Sequence, residues 1–157
     1  LNINSEEEAL VAFDEILANV KKHVPDAKVD GVLVAQMLRK GTEMILGIHR
    51  DSQFGPMVLI GFGGIFVELF KDSALYPAPF RKEEALEMIH SLKTYPLLSG
   101  YRGSAPLAID QLADMLVKMG NLAVEKKEEI SELDMNPVFV YEDSVCAVDA
   151  LVVKSKL

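Results

Sequence analysis

The chain has 157 residues, half of them hydrophobic, with 24 acidic against 16 basic side chains and a formal net charge of −8. That much apolar chain builds a real core and excludes a disordered segment, while the acidic balance, with no Arg/Lys stripe interleaved with aromatics, argues against nucleic acid. No apolar run reaches the roughly 18–20 residues of a membrane span, no secretory pattern opens the chain, and the single Cys146 has no intrachain disulfide partner, which fits a reducing cytoplasm.

In chain order, Ser5 as N-cap with Glu8 three residues on is a capping box. Leu10, Phe13, Ile16, Leu17 and Val20 then recur at helical spacing and predict a buried stripe. Lys21-Lys22-His23 suits the negative end of that helix, and Pro25 prevents its continuation. Val32–Leu38 reads as a strand, and Lys40-Gly41 turns the chain into a second, Glu43–His49. Gly55-Pro56 opens a third, Met57–Ile60, and Ile65–Phe70 reads as a fourth. Pro77-Ala78-Pro79 is a stiff connector. Arg81–Lys93 predicts a helix with Ala85, Met88, Ile89 and Leu92 inward. After a loop over Tyr95–Ser104, Pro106–Ala123 predicts another, with Ile109, Leu112, Met115, Leu116 and Met119 on its core stripe. The order implies an α+β fold, a mostly antiparallel sheet with helices on one face, as a single domain over 1–157.

The last segment carries the chemistry. Glu132, Asp134 and Asn136 alternate along a strand and so share a face. Val138–Tyr141, the turn Glu142-Asp143-Ser144 and Val145–Val153 then read as a hairpin. A two-residue loop at Glu142-Asp143 sets residue 149 opposite residue 136, bringing Asp149 beside Asn136 and Asp134 at a cross-strand Cβ spacing of about 4.5–5.5 Å. Two carboxylates about 4 Å apart repel by on the order of 4 kcal/mol at an effective dielectric near 20. A hard cation such as Mg²⁺ relieves that cost with oxygen ligands. The plainer alternative is a turn at Asn136-Pro137 and a solvated Asp149; spacing alone leaves both open.

Four words stand in order along the chain: Asp51–Asp72 (DSQFGPMVLIGFGGIFVELFKD), Gly100–Gly103 (GYRG), Glu132–Pro137 (ELDMNP) and Cys146–Ala150 (CAVDA). Together they resemble the ATP-grasp domain of ADP-forming acyl-CoA synthetases, the acetate–CoA ligases related to succinyl-CoA synthetase, over essentially the whole chain. The resemblance implies that Asn136 and Asp149 hold Mg²⁺ on bound ATP or ADP, with Asp134 and Glu132 as acidic neighbours ligating directly or through water. It also implies that Gln36 and Met37 lie on a hinge strand against the adenine, and that Gly63, Gly64 and Glu68 face the nucleotide.

On the same basis this chain is expected to be the C-terminal lobe of an ATP-grasp domain, a fragment of a longer cytoplasmic, oligomeric enzyme. An N-terminal lobe, CoA-binding domains and the phosphorylated histidine would lie elsewhere, and a CoA thioester would be the substrate. Such a chain would be inactive by itself. A non-catalytic, ligase-like regulatory module of a protein acetyltransferase that binds acyl-CoA shares the same words. Two departures from the family pattern stand out: Ala35-Gln36-Met37 where Gln-Glu-Met is usual, and Leu151 where an arginine often follows Val-Asp-Ala.

Read as pattern alone, Gly61-Phe62-Gly63-Gly64 favours a hairpin turn over a glycine-rich phosphate contact, and neither a P-loop nor a dinucleotide fingerprint is present. Arg102 between glycines suits an anion contact or a surface ion pair. Arg39, Lys40 and Arg50 are further candidates to offset the chain's acidity toward a nucleotide. His23 suits a dipole cap at a helix end, His90 falls on the solvent side of its helix, His49 has no carboxylate partner at a readable spacing, and Cys146 reads as a small core hydrophobe. No catalytic residue is assigned within this chain.

Overall fold

The computed structural model describes residues 2–64 and 72–155, which form two compact units, Leu1–Arg39 and Lys40–Leu157, where the sequence reads as one. In the first unit, α1 spans Glu6–His23. The Ser5 hydroxyl accepts the Glu8 N–H at 3.1 Å, and the Glu8 carboxylate reaches back to the Asn4 N–H at 2.7 Å. Three acidic residues open the helix and Lys21, Lys22 and His23 close it, as its dipole favours. The apolar stripe is present but none of its residues is buried, and Leu10 is 63% exposed. An amphipathic face needs a surface to pack on, and the described residues of this unit supply none. The strand expected over Val32–Leu38 is also absent, because no neighbouring strand in this unit takes its backbone hydrogen bonds.

Among the described residues, the second unit holds a six-stranded sheet with every pairing antiparallel. Strands β1 (Thr42–Asp51), β2 (Gly55–Phe62) and β3 (Ser73–Pro77) form a meander. The β1–β2 turn is tied by Asp51, whose carboxylate accepts the N–H groups of Gln53 and Phe54 at 2.7 and 2.9 Å. Strand β3 occupies the stretch just before and into the expected Pro77 connector; Pro77 ends it at the sheet edge, where a missing N–H costs nothing. The strand expected over 65–70 lies outside the described residues.

Helices α2 (Lys82–His90), α3 (Tyr95–Ser99) and α4 (Ile109–Glu125) follow, with a 3-10 turn at Tyr101–Gly103. Strands β4 (Ile130–Val140), β5 (Val145–Ala147) and β6 (Ala150–Lys154) complete the sheet, β4 lying against β1 and carrying β5 and β6 along its other edge. The expected inward residues Ala85, Met88, Ile89 and Leu92 are buried, as are Leu112, Leu116 and Met119, with Ile109 and Met115 half-buried. They pack on Met44, Leu46, Ile48, Val58, Ile60, Leu133, Val138 and Val140 of the sheet. Helices cover one face, as the sequence predicts, and no described residue of this unit covers the other, which is its open face. Cys146 is half-buried on β5 rather than a full core residue.

A buried carboxylate locks the helical layer to the sheet. Asp72, directly before β3, accepts the N–H groups of Lys93 and Thr94 at 2.9 and 2.8 Å and the Thr94 hydroxyl. Burial works to raise its carboxyl, but the Thr94 hydroxyl and the two backbone N–H groups outweigh it and hold the group below the usual carboxylate range.

Candidate metal and nucleotide face

The open face is written by alternation along β1: Met44, Leu46 and Ile48 turn to the helices, while Glu43, Ile45, Gly47 and His49 turn away. On β4, Glu132, Asp134 and Asn136 are exposed and Leu133 is buried between them, so the expected shared acidic face is present. Past Asn136 the phase reverses and Val138 and Val140 are buried. The cause is a bulge: Leu46 pairs with Met135 but Met44 pairs with Val138, so Asn136 and Pro137, joined by a cis peptide, both fall opposite Ile45. Pro137 has no N–H to give a ladder, and the bulge is where a strand tolerates it.

The hairpin register agrees with the sequence reading. Val138 pairs with Ala147 and Met135 with Ala150, so Asn136-Pro137 and Val148-Asp149 lie between the two ladders, with Asn136 opposite Asp149 in the continued register. The expected unbroken strand is therefore split at Val148-Asp149, where the Val148 N–H still reaches the Pro137 carbonyl at 3.0 Å. One Asp149 oxygen accepts the Ala150 N–H at 2.8 Å. Gly47, opposite Asp134 on β1, leaves that carboxylate without a side chain beside it, and on the other edge Asp134 faces Leu151.

Among the described residues no three His, Cys, Asp or Glu side chains converge as a ready-made metal site. The oxygens available are two carboxylates and one amide at a break in the sheet, exposed to solvent. That donor set fits Mg²⁺, which keeps several waters and takes one or two carboxylates plus phosphate oxygens; it does not fit a dedicated protein cage. Glu132 is occupied differently: His49, opposite it on β1, brings Nδ1 to 4.0 Å from its Oε1. This pairing was invisible until the β1–β4 register was known.

Gly63 and Gly64 follow β2. The Gly63 N–H donates to the Glu43 carbonyl at 2.7 Å, and Gly64 has φ +62°, a conformation that favours glycine. Glu68 lies outside the described residues. Arg102 has φ +52° in the 3-10 turn, and its guanidinium stacks 5.3 Å above the Tyr101 ring in the helical layer. Arg50 falls on the helix-side phase of β1 rather than the open face, with Nη2 buried and without a hydrogen-bond partner among the described residues. Gln36 and Met37 belong to the first unit, exposed and outside any ladder.

The ATP-grasp domain model matches residues 1–153. The chain is 52% identical over 150 residues to the ADP-forming acetate–CoA ligase I subunit beta of Pyrococcus furiosus, covering 96% of this chain and 64% of that protein. It thus spans less than two thirds of that curated relative's length. It is also similar to a Ca. Korarchaeum cryptofilum dinucleotide forming acetyl-coenzyme A synthetase 1 in complex with coenzyme A, Ca-AMPCP and HgCl+ (TM-score 0.84, 44% identity, 99% of this chain and 67% of that one). A selenomethionine form of the same synthetase, in complex with coenzyme A and Mg-AMPPCP, matches with TM-score 0.84 at 40% identity, over 99% of this chain and 67% of that one.

Proposed function

The chain belongs to the ATP-grasp domain family, and from that premise we propose that it is the C-terminal, nucleotide- and Mg²⁺-binding lobe of an ADP-forming acid–CoA ligase. The full-length protein would convert acyl-CoA, ADP and phosphate to acid, CoA and ATP, reversibly, with the phosphorylated histidine outside this chain. The observation that carries the reading is the opposition of Asn136 and Asp149 at the break between β5 and β6, beside the exposed Asp134. Bound there, Mg²⁺ would neutralise and orient the nucleotide phosphates, which is most of what phosphoryl transfer requires.

The chain's own residues do the rest. Asn136 on β4 and Asp149 in the break between β5 and β6 offer oxygen donors, and Asp134 adds charge without a competing side chain at Gly47. Glu132, engaged with His49, acts through water or not at all. Gly64 offers close backbone approach to phosphate, the Gly63 N–H being already given to the Glu43 carbonyl, and Arg102 an anion contact. The remaining partners in this reading are an N-terminal lobe, CoA-binding domains, a CoA thioester and further copies in an oligomer, in the cytoplasm. Among the described residues no helix is long and apolar enough to cross a membrane.

The test is the full-length protein carrying Asp149→Ala. Mg-ATP-dependent acyl-CoA formation is expected to be abolished with thermal stability unchanged; full activity in that variant refutes the assignment. The regulatory-module alternative is separated by incubating the wild type with γ-labelled ATP: a labelled histidine supports the ligase, and its absence supports the module.

A further inference from the structure

The loop between α3 and α4 is tied down at its base and bare along its length. Leu98 and Ala108 are buried, and the Leu107 N–H donates to the Leu98 carbonyl at 2.8 Å. Ser104 reaches the Tyr101 carbonyl twice, through its N–H at 3.2 Å and its hydroxyl at 2.8 Å. Between those ties Tyr101–Pro106 are all exposed, Tyr101 by 50%. Gly100 is required at φ +101°, since a Cβ there would stand 2.7 Å from the Ser104 carbonyl oxygen. Arg102 takes φ +52° and ψ +37°, the left-handed region that a residue with a Cβ occupies only at a cost. Elsewhere in the helical layer, Lys82 lies between Asp110 and Asp114 at 2.7 and 2.8 Å, and Lys126 meets Glu129 at 3.0 Å. Among the described residues no carboxylate forms an ion pair with Arg102, whose guanidinium rests over the Tyr101 ring.

We propose that this loop is a docking point for an acidic surface of the full-length enzyme outside residues 1–157, with Arg102 pairing to a carboxylate there and Tyr101 packing beside it. The proposal rests on the ligase reading given above and identifies the anion that Arg102 contacts. Strain kept at an exposed residue with no structural employment points to a function. A stretch of six consecutive exposed residues offers no concavity to enclose a small phosphate. Tyr and Arg on a fixed loop are instead the residue types on which protein interfaces concentrate their binding energy. The stack on Tyr101 leaves the edges of the guanidinium fork free for a bidentate carboxylate, and a side chain held in advance loses less entropy on binding. In a chain of net charge −8, an isolated cation also sets the register of docking, because an acidic partner is accepted at this loop and repelled by the surface around it.

The experiment places the photo-crosslinker p-benzoylphenylalanine at Tyr101 in the full-length protein and maps the product by mass spectrometry. A cross-link to a segment outside residues 1–157 that carries Asp or Glu is expected. Arg102→Glu should abolish that product, and reversing the charge of the contacted acid should restore it. Arg102→Gly, which suits the left-handed backbone, should also lose the product without lowering the melting temperature; a lowered melting temperature with the cross-link kept would make Arg102 a structural residue and overturn the proposal. Cross-links confined to residues 1–157, or no cross-link while Arg102→Glu weakens ADP or CoA binding, would overturn it as well, the latter by assigning the arginine to a ligand phosphate. Mg-ADP binding by the wild type is measured alongside: its absence removes the ligase reading, whereas a missing cross-link with Mg-ADP bound overturns this proposal alone.

Discussion

Met44, Leu46 and Ile48 of β1 are sealed beneath the helices, while Glu43, Gly47 and His49, interleaved with them, look out from the other side of the same strand. The covered side is saturated: apolar side chains from α2, α4 and five strands' worth of contacts leave little exposed area. The open side is deliberately incomplete, with carboxylates at Asp134 and Asp149 and an amide at Asn136 that no cationic side chain in the described residues neutralises. One face supplies stability, while on the other the pairing is slight, a 4.0 Å approach of His49 to Glu132 and the Ala150 N–H on Asp149. Substitutions on the two faces should therefore separate cleanly into losses of folding and losses of binding.

The largest expected effect on stability is in the covered layer. Leu116, fully buried on α4, should destabilise by about 2–5 kcal/mol as Leu116→Ala, read by denaturant melts; a change under about 1 kcal/mol would mean that the helical layer is not packed as described. Next comes the clasp at Asp72. Asp72→Ala strands two backbone N–H groups and a hydroxyl and should cost about 1–3 kcal/mol. Because the folded carboxyl titrates below its ordinary range, its contribution is complete above the unfolded carboxylate value near 3.9 and is lost as pH falls through the lowered folded value. Acid melts of wild type and Asp72→Asn should accordingly converge in that window, and parallel curves down to the lowest pH would contradict the role.

Smallest in stability, within about 0.5 kcal/mol, is Asp134→Ala on the open face. Calorimetry should nonetheless show weaker Mg-nucleotide binding, by several-fold rather than completely, since Asp134 is an acidic neighbour of the pair. If Asp134→Ala behaves like Leu116→Ala, the division between the faces fails.

Much of the covered face was legible in the sequence because periodicity reports burial wherever a partner surface exists in the same chain. Ala85, Met88, Ile89 and Leu92 on α2, and Leu112 and Leu116 on α4, are inward as their spacing predicts. The same periodicity in α1 misled, since Leu10 and Phe13 are equally regular and yet exposed; the pattern announces a face but not what covers it. Val32–Leu38 failed for a related reason, as a strand is defined by its neighbour rather than by its own residues. On the open face, a two-residue turn at Glu142-Asp143 was enough to give the Asn136–Asp149 register. The bulge at Asn136-Pro137 showed in the sequence only as a possible turn, and the His49–Glu132 pair depended on the long-range β1–β4 alignment, which no local spacing encodes.

The most direct test of the open face is divalent-cation binding itself. Mn²⁺, as a paramagnetic stand-in for Mg²⁺, can be titrated with ADP into the full-length protein and into the Asn136→Ala/Asp149→Ala double variant while thermal melts are followed in parallel. The wild type should give a nucleotide-dependent bound-Mn²⁺ spectrum that the double variant loses at an unchanged melting temperature. A bound spectrum of undiminished affinity in the double variant would contradict the placement of the metal between these strands.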